Sequence, residues 1–279
     1  MPKAKAEKQT KGKPPLGGFP WFVWLAIALG VAAIVASVRI FPIGEPPSSS
    51  HSGKVKAAII DQLHSLQPNE VFISQATQEL EACGFSVDLY QGDDVTVDFY
   101  SQLPSYGYKL IIFRTHSGLL LGREGEIVER TCLFTNEPYS ETKHIGEQLA
   151  GHLAIARVAQ GYPFMFAIRP EFITHCMKAR FDSTVIVVAG CSCIHIDDLA
   201  QAFVEKGASA YLAWDATVEA DYMDEATLYL VRQLCMDEVA VGEAVASTMT
   251  AEGPDPDYGA VLHYFPSASG DKTLKELIQ

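Results

Sequence analysis

The chain has 279 residues, 48 % of them hydrophobic and 20 % charged, with a formal net charge of −13 at pH 7. That length and apolar content suffice for a folded core and exclude a fully disordered chain. The first 53 residues hold six basic and two acidic residues, so the remainder carries 15 basic against 32 acidic, a net charge of −17. Such a surface argues against nucleic acid, because phosphate binding needs a basic one. A basic peptide partner is easier to accommodate, and acidity that only keeps an external domain soluble accounts for the charge equally well.

The N-terminal residues 1–18 contain five lysines, Lys3, Lys5, Lys8, Lys11 and Lys13, against one Glu7. An uncharged run follows from Phe19 through Val38, long enough to cross a bilayer core, with Trp21 and Trp24 at the depth of interfacial aromatics. It predicts a single transmembrane helix over residues 19–42. The lysines before it place the N-terminus in the cytoplasm and the rest of the chain outside. A cleaved signal peptide competes with this reading, since Val35-Ala-Ser37 offers small residues, but the run is longer than an ordinary signal core. Residues 43–53, rich in Pro and Ser, read as a polar linker, and 54–279 as one domain.

Within that domain Lys54–Ile60 reads as the first strand and Asn69–Cys83 as a helix closed by Gly84. Phe85–Tyr90 is a second strand, Asp98–Leu103 a short helix, and Tyr108–His116 a third strand. This βαβαβ rhythm predicts an α/β fold, a mostly parallel sheet sandwiched by helices. Gly118–Glu137 has hairpin character, and Glu141–Gln160 reads as a helix. Phe164–Ile168 is a strand, Pro170–Ala179 a helix and Thr184–Ala189 a buried strand. A helix over 199–206 precedes strand Ser209–Ala213; helices over 219–236 and 239–250 lead to a last strand, Ala260–Phe265.

The six cysteines (83, 132, 176, 191, 193, 235) are too sparse for a disulfide scaffold. Cys83 and Cys235 fall in amphipathic helices and read as buried core thiols. The informative one is Cys191, directly after the apolar run Thr184-Val-Ile-Val-Val-Ala-Gly190. His116 stands in the same relation to Leu110-Ile-Ile-Phe-Arg-Thr115, 75 residues earlier in the chain. Function in parallel sheets gathers at the carboxyl ends of strands. A thiol and an imidazole facing each other there are the pair that nucleophilic cysteine catalysis requires. Cys193 competes as nucleophile, because side-chain alternation sets it on the same side of an extended segment as Cys191. The run Cys191, Cys193, His195 also invites a metal reading, but no second ligand pair stands at zinc spacing. His144 and His152 likewise lack a Glu in a zincin arrangement. No metal and no cofactor is expected.

The blocks ending in His116-Ser117-Gly118 and Gly190-Cys191-Ser192 resemble the caspase-hemoglobinase group of cysteine peptidases (clan CD). The likeness continues through Asp198-Leu-Ala-Gln-Ala-Phe-Val-Glu-Lys-Gly-Ala-Ser-Ala-Tyr-Leu-Ala-Trp214-Asp215-Ala-Thr-Val218, similar to separase and CHAT-domain sequences. It spans about Lys54 to Ala251, and gingipains belong to the same group. The resemblance implies a caspase-hemoglobinase-like fold, a catalytic pair His116 and Cys191, and backbone oxyanion donors around Ser117, Gly118 and Gly190. Ser117 departs from the group, which has glycine directly after the histidine. The resemblance further implies that acidic residues after the Cys strand receive a basic substrate side chain; Asp215 leads, with Trp214 and Asp221 beside it. The expected function is a membrane-anchored cysteine endopeptidase acting on protein or peptide after basic residues. A CHAT-like signalling or interaction module with weak or no proteolysis, and a thioester-forming transpeptidase, stand as alternatives.

Overall fold

Strand β1 (Val55–Asp61) buries its last five residues, while β3 (Leu110–Arg114) and β8 (Thr184–Ala189) are buried along their whole length. Unbroken apolar runs of this kind are covered on both faces, as central strands of a parallel sheet must be. With β2 (Phe85–Gln91), β9 (Ala208–Trp214) and β10 (Leu262–Phe265) they form a six-stranded sheet in the order β10-β9-β8-β3-β1-β2. Every pairing is parallel except that of β10 with β9. This computed structural model describes residues 55–121, 127–236 and 238–279. The expected cytoplasmic segment, membrane helix and linker lie outside those residues, and no helix among the described residues is long and apolar enough to cross a membrane.

Helices cover both faces. Helix α1 (Glu70–Ala82) starts where the Asn69 side chain accepts the Phe72 N–H, and it turns Phe72, Ile73, Ala76 and Leu80 inward at helical spacing. Gly84 ends it in a left-handed conformation (φ +97°) that favours glycine. Helices α6 (Ala220–Leu234) and α7 (Val241–Ala251) share that face and its core. The opposite face is covered by α2 (Val97–Gln102), α4 (Pro170–His175) and α5 (Asp198–Glu205). Burying a side chain such as Phe72 or Leu80 contributes about 1.5–3 kcal/mol each, so the two layers account for the bulk of the driving force.

Two expectations need correction. The helix expected over 141–160 is only α3 (Ile145–Leu149), followed by strand β6 (Leu153–Ala156). Gly151 at φ +71° breaks the helix, and Leu153-Ala-Ile-Ala pairs antiparallel with β7 (Met165–Ile168). With the hairpin β4 (Ser117–Leu121) and β5 (Ile127–Pro138) these strands build a second, antiparallel sheet, ordered β4-β5-β7-β6. One of its faces, with Leu133, Phe166 and Ile168, packs into the main core; the other carries a small cluster of Cys132, Phe134 and Ala167.

The second correction concerns Cys83 and Cys235, which form a disulfide with a Cα–Cα distance of 5.4 Å. Each caps the carboxyl end of its helix, and α1 and α6 lie side by side, so two positions that read singly as core thiols become partners in space. Cys132, Cys176, Cys191 and Cys193 are free thiols.

Candidate functional site

Strands β3 and β8 are neighbours, with Arg114 opposite Ala189, and the Thr115 N–H extends the ladder to the Ala189 carbonyl at 2.9 Å. Two residues further along each strand, His116 and Cys191 leave the carboxyl edge side by side. They line one cavity of about 210 Å³, together with Leu63, Thr217, Glu219 and Tyr258. A second, wider cavity of about 730 Å³ opens from the same pair over the antiparallel sheet. Parallel pairing in register therefore brings the two sequence-predicted residues together.

The backbone of His116 is held by Gln62, whose Oε1 accepts its N–H at 2.8 Å. Gln62 is fixed in turn by Asn136, which accepts its Nε2–H at 2.7 Å and donates to its carbonyl at 3.0 Å. The imidazole lies 5.9 Å from the Phe134 ring, and its Nε2 is buried without a hydrogen-bond partner among the described residues. An orphaned buried polar atom costs about 1–3 kcal/mol, and the Nε2 atom carries that cost here.

The Cys191 loop is equally constrained. A Cβ on Gly190 would stand 2.6 Å from Ser117 Oγ and 2.7 Å from the Thr115 carbonyl, so only glycine fits. Ser192 sits in the left-handed region at φ +55°, and its N–H bonds the Ala216 carbonyl at 2.9 Å. Strained backbone of this kind persists where surrounding contacts enforce it, and it clusters at functional sites. Ser117 Oγ donates to the Cys191 carbonyl at 2.7 Å and accepts the Cys193 thiol at 2.9 Å. The Cys193 thiol is thus fully buried and pushed far above its usual range by burial, while Cys191 is half-buried and opens on both cavities. Cys193 turns to Ser117 and His195 to the Asp215 carbonyl, so the Cys-x-Cys-x-His run does not converge.

The expected oxyanion amides divide. The Phe134 N–H donates to the His116 carbonyl, and with Ser117 opposite Leu133 this phase commits the Gly118 N–H to β5. The Ser117 N–H then points off the free edge of β4. Gly190 lines the smaller cavity beside Cys191.

Burial, with the nearby Arg114 cation, lowers His116 from 6.5 to about 4. Burial raises the Cys191 thiol, a backbone hydrogen bond at Val218 opposes this, and Asp255 adds to the rise. At neutral pH the pair is therefore a thiol and a neutral imidazole. Between pH 6.5 and 4 the unfolded chain binds a proton on this histidine that the folded chain refuses, so stability is intact above pH 6.5 and is lost as pH falls toward 4. His116→Gln is expected to remove about 2–3 kcal/mol of the loss between pH 7 and 4.5, read from urea melts at the two pH values. Parallel acid slopes in both proteins would contradict the assignment.

Beneath the pair lies a buried ionic triad. Arg114 donates through Nε and Nη2 to Asp224 on α6 (2.8 Å each) and through Nη1 to Asp61 at the end of β1 (2.9 Å). Burial opposes the guanidinium charge, but the two carboxylates outweigh it and hold Arg114 protonated. The triad clamps the floor of the site to β1 and α6.

The residues expected to bind substrate lie elsewhere. Trp214 is a buried core residue. Asp215 Oδ1 accepts the Val261 N–H at 2.8 Å and Oδ2 meets His263 at 3.2 Å, which ties the end of β9 to β10. Asp221 lines a separate cavity with Asn69 and Asp224. None of the three lines either cavity that contains Cys191. The carboxylate that does is Glu219, which sequence reasoning missed; its Oε2 caps α6 by accepting the N–H groups of Asp221 and Tyr222. Its only signal in the sequence was its position just ahead of a helix, where a capping acid is ordinary.

No protein-family model and no curated protein matches this chain. Among solved structures, a flavodoxin from Streptococcus pneumonia TIGR4 is similar over 61 % of this chain and 90 % of its own, at 13 % identity and a TM-score of 0.29, a likeness too low to carry any inference about function.

Proposed function

We propose that the domain is a cysteine endopeptidase of the caspase-hemoglobinase type, with Cys191 as nucleophile and His116 as its base. The observation that carries this reading is the adjacency of the two residues on paired parallel strands, at the mouth of a shared cavity. The imidazole is neutral at rest and takes the Cys191 proton as the sulfur attacks the substrate carbonyl carbon, a transfer that substrate binding must assist because burial makes it a weak base. Negative charge developing on the carbonyl oxygen is met by backbone N–H groups at Cys191 and Ser117. The protonated imidazole then delivers its proton to the leaving amine as the C–N bond breaks, and water, deprotonated by His116, hydrolyses the thioester.

A preference for a basic residue on the acyl side rests on Glu219, whose Oε1 has no hydrogen-bond partner among the described residues. Glu219→Gln keeps the helix cap, because an amide oxygen accepts the same two N–H groups, yet removes the charge. Turnover of Arg substrates is expected to fall roughly tenfold to a thousandfold, with substrates bearing a neutral residue there losing far less. Equal losses on both sets would remove Glu219 from the pocket. Membrane attachment through residues 19–42, with the domain outside the cell, completes the proposal; the Cys83–Cys235 disulfide supports an oxidising compartment.

One observation favours a second reading, a CHAT-like interaction module with weak or no proteolysis: neither member of the pair is charged at rest, since burial raises the thiol and lowers the imidazole. A thiol-directed activity probe on the wild type and on Cys191→Ala separates the readings. Labelling that disappears in the variant, together with peptide cleavage, sustains the peptidase; no labelling and no cleavage leaves the interaction module. An added amine nucleophile appearing in the product would instead mark a transpeptidase.

A further inference from the structure

Asp255, in the loop between α7 and β10, is 3 % exposed, and carboxylates are rarely buried without a cation beside them. Its hydrogen-bond partners among the described residues are three backbone N–H groups. Oδ2 accepts the Glu219 N–H at 2.8 Å, and Oδ1 accepts those of Asp257 at 2.9 Å and Tyr258 at 2.6 Å. Glu219 and Tyr258 both line the smaller cavity, so one carboxylate ties together two walls of it that come from distant parts of the chain. The loop closes on itself as well: the Asp255 N–H donates to the Ala260 carbonyl at 3.0 Å, and the Gly259 N–H to the Asp255 carbonyl at 2.8 Å. The Tyr222 hydroxyl, on α6, donates to the Gly253 carbonyl. The peptide that gives Asp255 its N–H at Glu219 carries the Val218 carbonyl on its other side, 3.7 Å from Cys191 Sγ.

We infer that Asp255 is the positioning residue of the acyl-side pocket: it holds Glu219 and Tyr258 as two walls of the site that takes the substrate's basic side chain. This rests on the peptidase reading and its preference for a basic residue, and it deepens both. A guanidinium is bound by a carboxylate through charge-assisted hydrogen bonds and by an aromatic ring through the ring face. Glu219 supplies the first, and Tyr258, 59 % exposed in the loop, supplies the second. Asp255 itself lines neither cavity, so it acts through the backbone of the two residues that do the binding. Three N–H groups on one carboxylate leave that backbone little freedom, and a pocket ordered before the substrate arrives binds at lower cost.

The test uses the full-length protein and peptidyl aminocoumarin amides that end in Arg or in Leu. Asp255→Asn keeps an oxygen for the Asp257 and Tyr258 N–H groups but sets an amide N–H against that of Glu219. Asp255→Ser keeps the loop turn through its hydroxyl and is too short to reach Glu219. Each is expected to lower kcat/KM for the Arg amide about fivefold to thirtyfold, mostly through KM, and for the Leu amide by less than about twofold. In a Glu219→Gln background the same changes should cost less than about twofold on the Arg amide, since both act on one contact. Tyr258→Ala, at an exposed position that folding does not need, should lower the Arg-to-Leu ratio about threefold to tenfold. No loss on the Arg amide, equal losses on both amides, a loss confined to kcat, or a full loss in the Glu219→Gln background would each overturn the inference. If neither Asp255 variant folds, the ratio in Tyr258→Ala decides: a lowered ratio sustains the inference and an unmoved one overturns it. A wild type that cleaves both amides equally removes the basic preference, and this inference with it, but leaves the peptidase standing. A wild type that cleaves neither, with no alkylation of Cys191, takes down the peptidase reading itself.

Discussion

Cys191→Ala is expected to lower peptide turnover by at least about a thousandfold while moving the thermal midpoint by no more than a degree or two. Of the two cysteines on this loop only Cys191 lines the cavities, since Cys193 is fully buried with its thiol against Ser117 Oγ. Losing the attacking atom removes the whole thioester route, and effects of that size accompany loss of a nucleophile in acyl-transfer enzymes. The thiol contributes little to stability, since its one hydrogen bond is a long contact to the Val218 carbonyl. His116→Ala should give a comparable loss of rate with some gain of stability at acid pH, because the depressed imidazole is itself a burden on the fold there. Turnover that survives in Cys191→Ala and vanishes in Cys193→Ala would reverse the nucleophile assignment.

Arg114→Met should destabilise the domain by about 3–5 kcal/mol, the range for breaking one partner out of a buried ion pair. The triad is buried throughout, so Asp61 and Asp224 would face each other without a cation. For a domain of this size the midpoint should fall by about 10 °C. The rate should suffer as well, since β1, β3 and α6 hold the floor under His116. A melt within about 2 °C of wild type would mean that water or protonation relieves the carboxylates and that the triad is not a clamp.

Much of this arrangement was legible in the residues. The runs at Ala57–Ile60, Leu110–Phe113 and Val185–Ala189 are apolar without alternation, which only a doubly covered strand tolerates, and His116 and Cys191, which follow two such runs, line one cavity. What escaped was set by contacts between distant segments. Arg114 ends a strand, where a charged residue ordinarily meets water, and nothing local says that Asp61 and Asp224 converge on it. Asp215 looked like a pocket acid because it follows β9, but the chain returns as antiparallel β10, and Val261 claims the carboxylate. Glu219, four residues on, is the acidic residue that lines the smaller cavity. In 141–160 the alternation of Leu153-Ala-Ile-Ala was hidden by the helical look of its neighbours, and β7 decided the outcome.

The disulfide has a topological meaning. Cys83 and Cys235 are 152 residues apart, and both His116 and Cys191 lie on the chain between them. Any single cut within that span, whether by the domain on itself or by another protease, yields two fragments that stay covalently joined across α1 and α6. A cut between His116 and Cys191 would give a two-chain molecule with one member of the proposed catalytic pair on each fragment. It would migrate as one band without reductant and as two with it, so a maturation nick in this protein would be invisible to any assay that leaves the disulfide intact.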